Sequence, residues 1–234
     1  MKRSGTIAAF VGICVVLTII LLLFLPVFHI TDYTVTGNEQ VSEETILAAA
    51  RDNNDNIFAY SKRRTEKALK KNNYIADVNI IKHYPREIEI QVTEHKIRGY
   101  VEFTGSYLYL SDGGLVVDVK SEIDYPAPII TGLKFDTFTV GETLKTDNPE
   151  AFDAMIELST LFGKYQLMND ILKVDISNPS DIRFYCGNVQ VIYGENDGST
   201  GRILTLIEIL KKLDTSIPGT LDLTLDKPTF TYTS

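Results

Sequence analysis

Disulfide chemistry is nearly absent from this sequence of 234 residues, which has two cysteines, Cys14 and Cys186. Two cysteines so far apart, the first inside an apolar run, exclude the disulfide framework of a small secreted scaffold. Histidine is equally scarce. His29, His83 and His95 have no second His or Cys at metal-ligand spacing, and surface histidines are expected. Positive charge is in deficit: 23 Lys and Arg stand against 31 Asp and Glu, a formal charge of -8. A chain of that sign is a poor match for a phosphate backbone, so no nucleic-acid partner is expected. Low-complexity composition is missing too. At 44% hydrophobic, 23% charged and 10% aromatic, the chain is neither a disordered tail nor a collagenous repeat.

What the chain does have is a 22-residue run without a charge, Ile7 to Phe28. As a helix it would be about 33 Å long, enough for a hydrocarbon core of roughly 30 Å. Lys2 and Arg3 precede it and the first charge after it is Asp32, so the N-terminus is expected in the cytoplasm and the rest outside. A cleaved signal peptide would have an apolar core of about 7–15 residues ending at small side chains. This run is longer and ends Leu25-Pro26-Val27-Phe28-His29, bulky throughout, so an uncleaved anchor is expected. Cys14 then sits in lipid as a small hydrophobe. Residues 1–6 are a short cytoplasmic tail and 7–28 the transmembrane helix. The exterior part has 21 basic and 31 acidic residues, a charge of -10. An anionic leaflet repels such a body, leaving the anchor to hold it there.

Beyond the anchor, residues 30–36 alternate as a strand, and Gly37-Asn38 turns the chain. Ser42 is the expected N-cap of a helix reaching about Arg51, with Glu43 and Glu44 in its first turn. Thr45 stands where a full capping box would have Glu or Gln. A second helix is expected from about Ser61 to Lys71. Strands follow over Ile75–Tyr84 and over 86–94, where Ile88, Ile90 and Val92 alternate with Glu87, Glu89, Gln91 and Thr93. Pro85 marks the turn between them. From Lys96 on the chain reads mainly as strands. Tyr107–Leu110 and Leu115–Val117 flank the hairpin signature Ser111-Asp112-Gly113-Gly114. Ala127–Gly132 follows. Asn148-Pro149 opens a helix with Phe152, Met155, Ile156, Ser159 and Phe162 inward, and Gly163 is expected to end it. Strands around Val174, Phe184 and Val191 precede a helix from about Thr200 to Leu213, with Lys211 and Lys212 in its last turn. A final strand, Leu221–Leu225, closes the module.

The order strand, helix, helix, strand, strand resembles a POTRA domain, and the details resemble those of the bacterial division family FtsQ, called DivIB in Gram-positive bacteria. Val35-Thr36-Gly37-Asn38 with Ser42, Asn56-Ile57-Phe58, Tyr74-Ile75-Ala76-Asp77-Val78 and Tyr84–Glu94 carry the resemblance. So do Val174–Pro179 and Gly219–Leu223 further on. It implies an α+β fold: a single N-terminal transmembrane helix, a POTRA (βααββ) domain over 29–95, a β-rich FtsQ/DivIB-type domain with two helices over 96–227, and a C-terminal tail over 228–234. It also implies a non-enzymatic scaffold at the division septum. The partners it implies are FtsB/DivIC-like and FtsL-like single-pass proteins and the septal peptidoglycan synthase complex.

Enzymatic constellations are not found by motif. Gly198-Ser199-Thr200-Gly201-Arg202 lacks both the spacing and the lysine of a phosphate loop, and helix capping by Ser or Thr is the ordinary account. Ser111 lacks nucleophile-elbow geometry, and Cys186 alternates with inward residues as a core thiol. No cofactor or metal is expected. Two surfaces stand out instead. The basic run at 61–71, with Arg63, Arg64 and Lys67, is either a solvated helix face or a docking face for an acidic partner or anionic headgroups. The last strand carries Leu221, Leu223 and Leu225 on one face. If it is a sheet edge, it can accept a partner strand until Pro228 stops the pairing. The resemblance implies partner contacts at Thr224, Leu225 and Lys227, with Phe230 and Tyr232 as aromatic anchors. Two other classes predict different features. A POTRA-bearing outer-membrane assembly component carries a barrel, and an anchored extracytoplasmic enzyme carries a polar pocket with perturbed titratable groups.

Overall fold

Alternation with a period of two buries one side of a strand, and the 86–94 segment does this cleanly. In the computed structural model, which describes residues 10–18, 21, 25–51, 53–198 and 200–233, it is the middle strand of a three-stranded sheet. The chain divides into two units, 1–94 and 95–234. The first runs β1 (Asp32–Thr36), α1 (Glu43–Arg51), α2 (Lys62–Leu69), β2 (Ile75–His83) and β3 (Glu87–Glu94). Sheet order is β1-β3-β2, with β1 parallel and β2 antiparallel to β3. This is the βααββ order. Ile88, Ile90 and Val92 meet Ile46, Ala50 and Leu69 from the two helices in one core. Ser42 caps α1 through the Thr45 N–H (3.3 Å) and its hydroxyl also meets the Thr45 Oγ1 (2.8 Å). Thr45 thus occupies the capping-box position with a hydroxyl. Ser61 caps α2 through the Arg64 N–H.

Two polar side chains lock this unit. Parity turns Glu94 inward with Val92, and its buried carboxylate accepts the Glu39, Gln40 and Val41 N–H groups at 3.0, 2.8 and 3.0 Å. The far end of β3 therefore fixes the entry into α1. Lys82 donates to the Ile57 and Tyr60 carbonyls at 2.6 and 2.8 Å, tying the loop before α2 to β2.

The expected span to Phe28 is shortened at its outer end. Residues 10–18 are helical, but Leu25 is extended and Pro26–Phe28 is a single 3-10 turn. The ring of Pro26 disfavours the α conformation at Leu25, whose own backbone is extended. Residues 1–9, 19–20 and 22–24 lie outside the described residues, including the whole expected cytoplasmic tail. No helix among the described residues is long and apolar enough to cross a membrane.

The second unit is a nine-stranded sheet with two helices. Its strands are β4 (Ile97–Phe103), β5 (Ser106–Ser111), β6 (Val116–Lys120), β7 (Ile129–Thr131), β8 (Lys173–Asp175), β9 (Ile182–Cys186), β10 (Val189–Gly194), β11 (Gly219–Asp222) and β12 (Thr229–Tyr232). Helix α3 (Pro149–Lys164) lies between β7 and β8 in the chain, and α4 (Gly201–Leu210) between β10 and β11. Sheet order is β12-β11-β10-β9-β8-β7-β4-β5-β6. The core joins Phe162 and Met155 of α3, Ile203 and Leu206 of α4, and Phe184, Val191 and Tyr193 of the sheet.

Four local expectations are corrected. Gly163 does not end α3, which runs on to Lys164. A methyl at Gly163 would collide with the Arg98 guanidinium, so the residue is small to admit that side chain. The buried stripe of α3 is Ala151, Met155, Leu158, Ser159 and Phe162, with Phe152 and Ile156 at its margin. Lys211 and Lys212 lie past the last turn of α4, and Thr200 makes no capping hydrogen bond because its own backbone is helical. Near that end Arg202 donates to the Tyr193 and Glu195 carbonyls (3.3 and 2.5 Å) and lies over the Tyr193 ring.

Replacing Glu94 with Ala leaves three N–H groups without their acceptor and should cost the first unit about 3 kcal/mol in chemical denaturation, with Glu94→Gln losing less. Alkali should weaken the second unit. Burial pushes the Tyr100 and Tyr193 phenols up to about 12, and burial with Asp170 nearby pushes the Cys186 thiol up to about 12. Well below their ordinary values these groups are neutral in both states. Above those values the unfolded chain loses protons that the folded chain retains, so stability should fall as pH rises toward 12.

Candidate interaction surface

Four residues at the end of the chain, expected as a tail, form the outermost strand of the sheet. Strand β12 pairs antiparallel with β11 in the register Gly219↔Tyr232, Thr220↔Thr231, Leu221↔Phe230 and Asp222↔Thr229. The edge is therefore β12, and β11, which holds the start of the Leu221–Leu225 segment expected there, is interior. Leu221 is 1% exposed and Leu223 is buried with its N–H on the Ile192 carbonyl, so neither can meet a partner. The strand also ends earlier than expected. Asp222 accepts both the Thr224 N–H (2.8 Å) and its hydroxyl (2.6 Å), which bends the chain out of the sheet. Thr224, Leu225 and Lys227 lie exposed in that turn, and Pro228 leads into β12 rather than stopping a partner.

Which backbone groups of β12 are free follows from one bond. The Thr233 N–H donates to the Pro218 carbonyl at 3.1 Å. Alternation along an antiparallel pair then turns Thr229, Thr231 and Thr233 toward β11, and points the N–H and C=O of Phe230 and Tyr232 outward. Among the described residues those outward groups have no backbone partner. The Phe230 ring packs on the core while Tyr232, 70% exposed, stands against it edge-on at 5.0 Å. The opposite edge is different. At β6 the Val116 N–H and C=O are paired with Glu142 and Gly141, and Asp118 and Lys120 place charge along the strand. Charge and cover protect one edge; β12 offers only Thr, Phe, Thr and Tyr.

The basic residues Arg63, Arg64 and Lys67 lie exposed on α2, whose buried face is Thr65 and Leu69. Lys70 is paired with Glu66 (3.1 Å) and Asp77 (2.9 Å). This face and the β12 edge belong to different units. His83 pairs with Glu89 at 2.7 Å, and His29 forms a strand bridge with Asn56. No group of three or more His, Cys, Asp or Glu that could hold a metal occurs among the described residues. The sequence reading missed β12 itself. Its signal was Thr-Phe-Thr-Tyr, a β-prone run of only four residues behind a proline.

The first unit has the βααββ order of a POTRA domain, and the second is built around one large sheet with an open edge. Residues 28–95 match the family model of the POTRA domain, FtsQ-type. The chain is 24% identical over 187 residues to the cell division protein DivIB of Clostridium tetani, covering 79% of this chain and 71% of that one. It is 32% identical over 148 residues to DivIB of Listeria monocytogenes (62% and 53%) and 28% over 132 residues to DivIB of Bacillus subtilis (55% and 50%). The chain thus spans about half the length of these last two relatives. The chain carries an FtsQ-type POTRA match and is similar over much of its length to cell division proteins named DivIB.

Gly219 sets how closely β12 approaches. A methyl there would collide with the Phe230 ring and come within 2.9 Å of the Thr231 carbonyl. Gly219→Ala should therefore loosen β12, seen as faster hydrogen exchange at Thr229, Thr231 and Thr233 while the β9–β10 amides keep their protection.

Proposed function

We propose that the chain is a non-enzymatic scaffold of the cell-division complex, anchored by the apolar run that starts at Ile7 and placed at the septum. Outside the membrane it binds other single-pass division proteins of the FtsB/DivIC and FtsL kinds and links them to septal peptidoglycan synthesis. The FtsQ-type POTRA match and the division-protein names of the similar proteins support the role. The observation that carries the mechanism is the free edge of β12: two outward N–H groups and two outward carbonyls, beside exposed Leu225, Lys227 and Tyr232. A partner segment that extends along this edge would join the sheet as a further strand.

On this reading the aromatic pair gives the strand an apolar contact, and Arg63, Arg64 and Lys67 on α2 form a second, charge-based recruiting face. The anchor confines host and partner to one surface, which raises their effective concentration. Polar groups of the kinds that catalysis uses are tied into the fold. Cys186 is buried with its thiol held protonated, and His83 is held by a carboxylate.

Tyr232→Pro is the discriminating variant. It removes an outward N–H while leaving the bonds of Thr231 and Thr233 to the sheet, and proline is accepted on an edge strand. Titration with the extracytoplasmic segment of the DivIC-like partner should show binding weakened by about tenfold with the unfolding transition unchanged. Full affinity in this variant would remove β12 as the docking strand.

A further inference from the structure

The first unit carries a cluster of exposed rings where the apolar run enters it. Three segments meet there. The entering chain at 25–28 is pinned by the Ile57 N–H on the Phe28 carbonyl (3.0 Å) and the Ile30 N–H on the Asp55 carbonyl (2.7 Å). The β2–β3 turn is pinned to the residues that follow by the Thr31 N–H on the Arg86 carbonyl (3.0 Å). These bonds bring Phe28, Phe58 and Tyr84 into one stack: Phe28 meets Phe58 edge-on at 4.9 Å, and Phe58 leans on Tyr84 at 5.2 Å. Of the three rings, Phe28 also packs on the core. Phe58 remains 41% exposed and Tyr84 60%, with Leu25 and Val27 exposed on the entering chain.

Single exposed hydrophobic residues need no account, but a stack of rings joined to exposed Leu25 and Val27 does. Covalent continuity says what covers it. Phe28 is both the last residue of the uncharged run and the first ring of the stack, so a membrane holding that run lies within a side chain's reach of Phe58 and Tyr84. Aromatic rings with a polar tip or a nearby cation suit the boundary between headgroups and acyl chains. Tyr84 supplies the hydroxyl, and exposed Lys62 and Arg86 follow the two rings closely in the chain.

We propose that Phe58 and Tyr84 insert into the headgroup–acyl boundary of the lipid bilayer, so that the POTRA unit is docked against the membrane by its entry end as well as tethered by the anchor. This rests on the anchored reading above, and the test separates the two. The sequence contains no tryptophan, so Phe58→Trp, Tyr84→Trp and Leu17→Trp each create a single reporter in the full chain. Each is reconstituted in phosphatidylethanolamine/phosphatidylglycerol vesicles containing lipids brominated near the carbonyls or near the chain ends, with Tyr232→Trp as the exposed reference.

Docking requires the emission of the Phe58→Trp and Tyr84→Trp variants to be blue-shifted relative to the Tyr232→Trp reference and quenched mainly by the shallow bromines. Leu17→Trp should be quenched by the deep ones. If Leu17→Trp is quenched while both ring variants emit and behave like the reference, the docking is wrong and the anchor stands. If the ring variants shift only when a partner protein is added and ignore bromine, a protein surface covers the stack and the lipid assignment is overturned. If Leu17→Trp is not quenched, the anchored reading fails and the docking with it. The two ring variants sit on different segments, so misfolding of one leaves the other to decide.

Discussion

The pairing of Thr229–Tyr232 with Gly219–Asp222 decides what the second unit can offer to another chain. A sheet must end somewhere, and each end leaves a row of backbone groups that water or another strand has to satisfy. Here the two ends are treated differently. At β6 the loop at 141–142 already bonds Val116 and the strand carries charge. At β12 the register turns the backbone of Phe230 and Tyr232 outward in a strand without a charged side chain. The closeness of β12 to β11 depends in turn on the bare backbone of Gly219, over which the Phe230 ring lies. Turn chemistry at Asp222, the glycine and the aromatic pair all serve one hairpin.

Much of the fold was legible because burial imposes a period. Residues 86–94 gave the middle POTRA strand with the right side inward, and Ser42, Ser61 and Asn148 gave helix starts through hydrogen bonds that need only a local acceptor. The failures share a cause: they turn on contacts made across the fold. Gly163 looked like a helix stop, but its size is set by Arg98, which arrives from a strand far earlier in the chain. Thr200 looked like a cap, but its own backbone is helical and its side chain makes no capping bond, while Arg202 binds the Tyr193 and Glu195 carbonyls nearby. The terminal strand was placed at the edge because it was the last one with clear alternation. The few residues after Pro228 are too short a run to show a period, and only their partner strand makes them a strand. The candidate residues therefore divide: Leu221 and Leu223 belong to the core, whereas Thr224, Leu225, Lys227 and Tyr232 are exposed and Phe230 is shared between core and edge.

In the first unit, polar side chains serve closure rather than chemistry. The Glu94 carboxylate gathers three N–H groups that no helix or strand would otherwise satisfy, and Lys82 gathers two carbonyls from a loop. Both are half or fully withdrawn from solvent, where an unmet partner is costly. In a sequence such groups cannot be told from catalytic ones by residue type alone. Geometry separates them: each is saturated by the backbone groups it was placed to meet.

A four-residue edge is a weak binding site taken alone, and that weakness fits the proposed role. Two outward residues supply at most four backbone hydrogen bonds, each contributing about 1 kcal/mol net. Association in free solution costs at least as much in lost translational and rotational freedom. Binding of a short strand at β12 would therefore be marginal between freely diffusing molecules. Confinement changes the balance. When host and partner both hang from one membrane, much of that freedom is lost before they meet, and the same few bonds then suffice to hold a reversible complex. On the proposed reading the apolar run would be part of the binding mechanism, and an edge strong enough to bind without it would instead risk pairing with its own copies.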